Sequence, residues 1–223
     1  MKTVCLVLLE CVIASLLFSQ QLPPVLSGTP TAPELSRFFS DAGDGRRDLF
    51  QCLGLVHERG ENAVPGLVAV LNTDNLRVNR LYASMALEHI CSPAAIAGLQ
   101  KAAQSDPDIE VRAAALNALA TTYYDKVVTD RLTPDKEIVQ LLMRCADDTT
   151  AVDYLKLSLG KVARIGLQNW MGRDFGEPST GVVRVKVGQT IVPMTLPEYR
   201  EFWWQKYGNR LRWNWQSGHF EMP

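Results

Sequence analysis

Three histidines, His57, His89 and His219, are the side chains best placed by type to move a proton or hold a metal near neutral pH. Metal sites need ligands gathered at i, i+4 or by a tight turn, and these three stand far apart in the chain. Two acidic pairs, Asp106 with Asp108 and Asp147 with Asp148, have the side chains for general acid–base work. Both pairs fall in turn-like stretches, where a short carboxylate caps the free N–H groups of the next helix. Cys52, Cys91 and Cys145 are widely spaced and form no C-x-x-C. Cys52 and Cys145 lie on apolar helical stripes, the setting of a buried thiol rather than a nucleophile. Neither Gly-x-Ser-x-Gly nor a Walker-type loop occurs. The residues predict no catalytic, cofactor-binding or metal-binding set.

The most distinctive chemistry is aromatic. All five tryptophans lie between positions 170 and 215. Trp203, Trp204 and Trp213, with Lys206, Arg210 and Arg212 nearby, could stack on sugar rings or form a peptide groove. The same residues could instead cover the last apolar face of a stacked array. Burial decides between these readings.

Helices must position these groups. Leu49, Cys52, Leu53 and Val56 fall at i, i+3, i+4, i+7, and Gly60 ends that stripe. Val64, Leu67 and Leu71 form a second stripe, repeated by Ile96, Leu99 and Ala103 and again by Ile138, Leu141 and Cys145. Helices over 78–87, 111–121 and 152–159 are expected between them. The wider step before Ile138 implies an insertion around 124–133. Val78, Met85 and Ala86 map onto Val111, Ala118 and Leu119 with an offset of 33 residues. A fixed period of this size marks stacked helix pairs, none of which can bury its apolar face alone.

Asp106-Pro107 followed by Val111-Arg112, with Ala114, Ala115, Ala118 and Leu119, resembles the HEAT-repeat family in its alanine-rich form, common in bacterial proteins. The Val78 unit fits less well, with Asn79 where the family has arginine, and the unit at Val152 poorly. The resemblance spans roughly residues 46–165. It implies a right-handed α-solenoid and a protein-binding scaffold. It also implies that Arg112 pairs with an acidic turn residue, Asp106 or Asp74, as a ladder between repeats. Trp170, Gly172, Phe175 and Gly176, then Trp203-Trp204, then Leu211 and Trp213, resemble a tail that follows such arrays. Some related proteins are tetrapyrrole lyase subunits, but no residues here match such a site.

The N-terminus carries its own signal. Lys2 precedes a nearly apolar run from Val4 to Phe18, interrupted by Glu10 and shorter than the roughly 20 residues that span a bilayer. A signal peptide over residues 1–19 is expected, with an uncleaved anchor as the alternative. A net charge of −1 gives no overall attraction to nucleic acid.

The expected fold is all-α, a HEAT-like α-solenoid over residues 34–168 with a small α+β appendage. A linker over 20–33 precedes it. A Trp-rich cap over 169–223 follows, with a hairpin near 182–193 and a short helix. The expected role is a non-enzymatic scaffold for protein partners, exported to the periplasm or cell envelope. It would use no cofactor and no nucleic acid, and would meet the membrane only through an uncleaved N-terminus. Asn72, Asn75, Lys101 and Gln104 on the second helices, with Trp203, Trp204 and Trp213, are the candidate partner-binding residues. Envelope glycan or peptide binding by the aromatic cluster is the alternative.

Overall fold

Short polar side chains start most of the helices. Asp48 accepts from Gln51 N, Asp108 from Glu110 N and Asp135 from Glu137 N, each at 2.9 Å. Each bond satisfies a donor that the first helical turn cannot satisfy itself. Our computed structural model describes residues 26–172 and 182–222. The expected signal segment, residues 20–25 of the expected linker, and Phe175 and Gly176 lie outside the described residues.

The helices are α1 (Ala32–Gly43), α2 (Leu49–His57), α3 (Val64–Thr73), α4 (Arg77–Glu88), α5 (Pro93–Ser105) and α6 (Ile109–Asn117). A π turn (Ala118–Thr122) joins α6 to α7 (Tyr123–Asp130), and α8 (Lys136–Cys145) follows. Next come a two-residue hairpin, β1 (Ala151–Val152) and β2 (Leu157–Ser158), and α9 (Leu159–Met171). The remainder comprises β3 (Val183–Val187), β4 (Thr190–Met194), α10 (Leu196–Tyr207), β5 (Arg212–Asn214) and β6 (His219–Glu221).

The helices stack in two layers. One contains α1, α4, α6 and α9, each packed on the next; the other contains α3, α5, α8 and α10. The core runs between the layers, through Leu67, Leu87, Leu99, Leu119 and Leu142, each 0–1% exposed. This is the expected stacked solenoid.

Several sequence expectations need correction. The true period is 32 residues: Leu67 and Leu99, Asp74 and Asp106, Arg80 and Arg112, and Leu87 and Leu119 occupy equivalent places. Asn79 therefore sits where Val111 does, buried in the same way, and Arg80 is the equivalent of Arg112. The helix expected over 152–159 is the β1–β2 hairpin. Lys156 there has φ +54°, a left-handed conformation that ends any helical run. The helix of that unit begins instead at Leu159, capped by Ser158. The expected edge at residue 168 falls inside α9, and α1 takes in the last two residues of the expected linker. The insertion anticipated at 124–133 lengthens α6 through the π turn into α7, and the chain returns where the Tyr123 hydroxyl donates to the Thr133 carbonyl.

The π turn has a structural consequence. A π turn loosens the i→i−4 ladder, and the carbonyls of Leu119 and Ala120 accept from Trp170 Nε1 and Asn169 Nδ2, both at 3.1 Å. Close approach is needed, since a Cβ on Gly166 would lie 2.7 Å from Ala120 Cβ. Gly172 ends α9 at φ +61°, with His219 lying where a side chain would project.

Two separate pieces close the far end. Helix α10 packs on α8, and the β5–β6 hairpin packs on α9. Trp170 is fully buried, stacked with Phe220 at 6.1 Å and edge-on to Trp213 at 5.8 Å. Arg200 of α10, 1% exposed, pairs with Asp147 in the turn after α8.

Candidate interaction surface

Inter-helix turns carry the polar side chains of the array, because their backbone groups need partners that the helices do not supply. In the α3–α4 turn, Asp74 accepts from Ser36 Oγ, from Leu76 N at 2.8 Å and from Asn79 Nδ2 at 3.1 Å. Burial pushes its carboxyl pKa up, but these bonds outweigh it and hold the group below its ordinary value. Asn79 Nδ2 also donates to Ser40 Oγ at 3.0 Å, which joins the turn to α1.

Arg80 links this turn to the next. Its Nε and Nη2 donate to the two oxygens of Asp106 at 2.8 and 3.0 Å, and its Nη1 donates to the Asp74 carbonyl at 3.0 Å. The bidentate pairing with Asp106 holds the guanidinium proton more firmly than usual. The ladder between repeats therefore exists, but Arg80 makes it. Arg112, expected to pair with the Asp106 or Asp74 carboxylate, donates instead to the Asp106 main-chain carbonyl at 2.8 Å. Arg164 does the same one unit later, donating to the Ala146 carbonyl at 2.6 Å. The sequence reading missed Arg164, although Asn79-Arg80, Val111-Arg112 and Ala163-Arg164 share a pattern once β1–β2 is removed.

These turns frame two adjoining grooves. One, of about 420 Å³, is lined by Asn72, Asn75, Lys101, Ser105 and Pro107 above the Arg80–Asp106 pair. The other, of about 430 Å³, is lined by Ser36, Arg37, Ser40, Leu76 and Asn79. Thr73, Asp74 and Asn75 form the ridge between them. The structure thus brings Asn72, Asn75 and Lys101 together, all exposed. Gln104 is exposed on the same helix as Lys101 but does not line the groove.

The tryptophans are placed differently. Trp203 is 5% exposed, which removes it from the expected partner-binding set. Trp204 is half-buried; with the Gln140 amide oxygen turned toward its donors, Trp204 Nε1 and Arg144 Nη2 both bond to it at 2.8 Å. Trp213 is half-buried against Trp170, Tyr124 and Phe220. Trp215 is the most exposed, with the Arg131 guanidinium 4.9 Å from its ring centre.

The remaining titratable candidates have structural partners. Asp108 and Asp148 cap backbone N–H groups, while Asp106 and Asp147 hold Arg80 and Arg200. His57 and His89 meet edge-on at 6.2 Å, one repeat apart, and His219 Nδ1 faces the Asn169 carbonyl. Burial pushes the Cys91 and Cys145 thiols up to about 11, away from the reactive thiolate. Among the described residues no three histidine, cysteine or acidic side chains converge as a metal site, and no helix is long and apolar enough to cross a membrane.

A sequence model for HEAT repeats matches residues 40–120 and 64–152, just over half the chain. The chain belongs to the HEAT-repeat family. No curated protein and no solved structure matches it. The match ends at β1, yet the HEAT stacking continues geometrically through α9 and α10, which extend both layers. HEAT arrays generally mediate protein–protein contacts, and the groove at Asn72, Asn75 and Lys101 lies within the matched repeats.

Proposed function

We propose that this HEAT protein is a non-enzymatic scaffold whose working surface is the polar double groove along the α3–α4 and α5–α6 turns. The observation that carries this reading is the rigid ridge at Asp74 and Asn75. Its backbone is clamped by Arg80 and its carboxylate by Ser36 and Asn79, while Asn72, Asn75 and Lys101 beside it stay exposed. A hydrogen-bonded base flanked by exposed polar side chains suits a polar protein segment, because little entropy is lost in ordering the site. The burial of Trp203 and Trp170 argues against the tryptophans as the main platform. The apolar run from Val4 to Phe18 supports export to the cell envelope, which fractionation with an N-terminal tag and a C-terminal tag tests directly.

Affinity capture tests the surface. The quadruple variant Asn72→Asp, Asn75→Asp, Lys101→Glu and Gln104→Glu changes only exposed side chains and should fold normally. Partner recovery from envelope extracts should fall by about tenfold, as expected when a central contact is lost. Equal recovery by the variant and the wild-type chain overturns the assignment of this surface.

A further inference from the structure

The β3–β4 ribbon lies in the chain between α9 and α10, which continue the two layers, and among the described residues it pairs only with itself. In repeat proteins such insertions gather on one face, often a binding face. Val183, Val185, Val187, Val192 and Met194 form a half-buried side, and the ribbon packs on α10. Arg184, Lys186, Ile191 and Pro193 form the other side, which is open to solvent, with Ile191 64% exposed.

The register determines which backbone groups are free. Val187 pairs with Thr190 across the Gly188-Gln189 turn, Lys186 with Ile191 and Arg184 with Pro193. A two-residue turn makes its flanking pair the hydrogen-bonded one, and bonding alternates along the ladder. The backbone groups of Arg184 and Lys186 therefore point outward from β3, and those of Ile191 and Pro193 outward from β4. Pro193 has no N–H, which blunts the β4 edge. The β3 edge keeps both donors and acceptors. Neither Arg184 nor Lys186 forms an ion pair among the described residues.

We propose that the outer edge of β3 accepts an extended acidic segment of a partner protein as a third strand. Main-chain bonds supply the attraction common to strand addition, and alternate side chains supply the choice of partner. Acidic residues of the added strand would lie beside Arg184 and Lys186, and its apolar residues would extend the valine side toward α10. A second copy of this chain is disfavoured, because pairing β3 with β3 sets like charges against one another. This surface is separate from the grooves at Asp74, and its test does not depend on them.

The probe is a short capped peptide of alternating valine and glutamate, titrated into the full chain at low salt. Binding should weaken by about tenfold or more in the variant Arg184→Glu, Lys186→Glu, whose changed side chains are exposed. It should weaken similarly when the peptide is N-methylated on the residues that face the edge, and should vanish when lysine replaces glutamate. The quadruple groove variant should bind the peptide like wild type. Unchanged binding of the N-methylated peptide overturns strand addition, and unchanged binding to the charge-reversed variant overturns the edge as its site. No peptide binding, combined with capture by anionic phospholipid vesicles that depends on Arg184 and Lys186, replaces the proposal with a membrane contact.

Discussion

The central repeats and the C-terminal end solve one packing problem with opposite materials. In the centre, Ala83, Ala86, Ala115 and Ala118 are fully or almost fully buried, and one clamp, Arg80 on Asp106, joins neighbouring turns. At the end, Trp170, Trp203 and Phe220 fill the space, and Arg200 with Asp147 fastens the outer helix. A central pair has neighbours on both sides and gains from close approach, which small residues allow. A terminal pair has one neighbour and must cover its own apolar face, which takes large side chains.

The comparison breaks most visibly at Trp170. Trp170→Ala should cost about 4 kcal/mol in denaturant unfolding, by cavity formation and loss of the bond to Leu119 O. A loss below that of a single buried leucine would show that Trp170 is not what covers the terminal apolar face. Asp106→Ala should cost about 3 kcal/mol, since it strands Arg80 with little exposure. Asp147→Ala should cost less, about 2 kcal/mol, because Asp147 keeps a quarter of its side chain in solvent. If the order of these two reverses, the end rather than the centre relies on charge.

A pH effect sharpens the contrast further. The Asp74 pKa is depressed by its bonds, so its contribution is present above the unfolded value of about 4 and is lost as pH falls through the lower folded value. Protection from hydrogen exchange at the α3–α4 turn, corrected for the intrinsic rate, should therefore fall in acid. Asp74→Asn should remove that dependence without changing the acid response of α10, where bonds to Thr195 hold the Glu198 carboxyl low. The smallest effect is expected at Phe50, which is 81% exposed: Phe50→Ser should change stability by no more than about 0.5 kcal/mol. A larger loss would mean that Phe50 has a covering partner in the folded protein.

Much of this was legible in the chain because helical periodicity is local. The stripes at Val64, Ile96 and Ile138 predicted α3, α5 and α8, and the alternation at Val183 to Val187 predicted β3. The groove residues Asn72 and Lys101 were legible as polar positions on α3 and α5, and Asn75 as a polar position in the turn after α3. Ser36, Ser40 and Asn79 were not, since the contact between Ser40 and Asn79 joins α1 to α4 across 39 residues. A one-residue error in the period hid the equivalence of Arg80 and Arg112, and twelve residues around β1–β2 hid Arg164.

By itself the sequence determined that helices would pair and stack, because no single pair here can bury its apolar stripe. It also determined that the chain's character would change near Trp170. Only the tertiary structure decided which arginine grips Asp106, because a helix's rotation is set by its neighbours. The same holds for the tryptophans: their composition allowed a platform or a cap, and the positions of α8 and α9 beneath them made most of that surface interior.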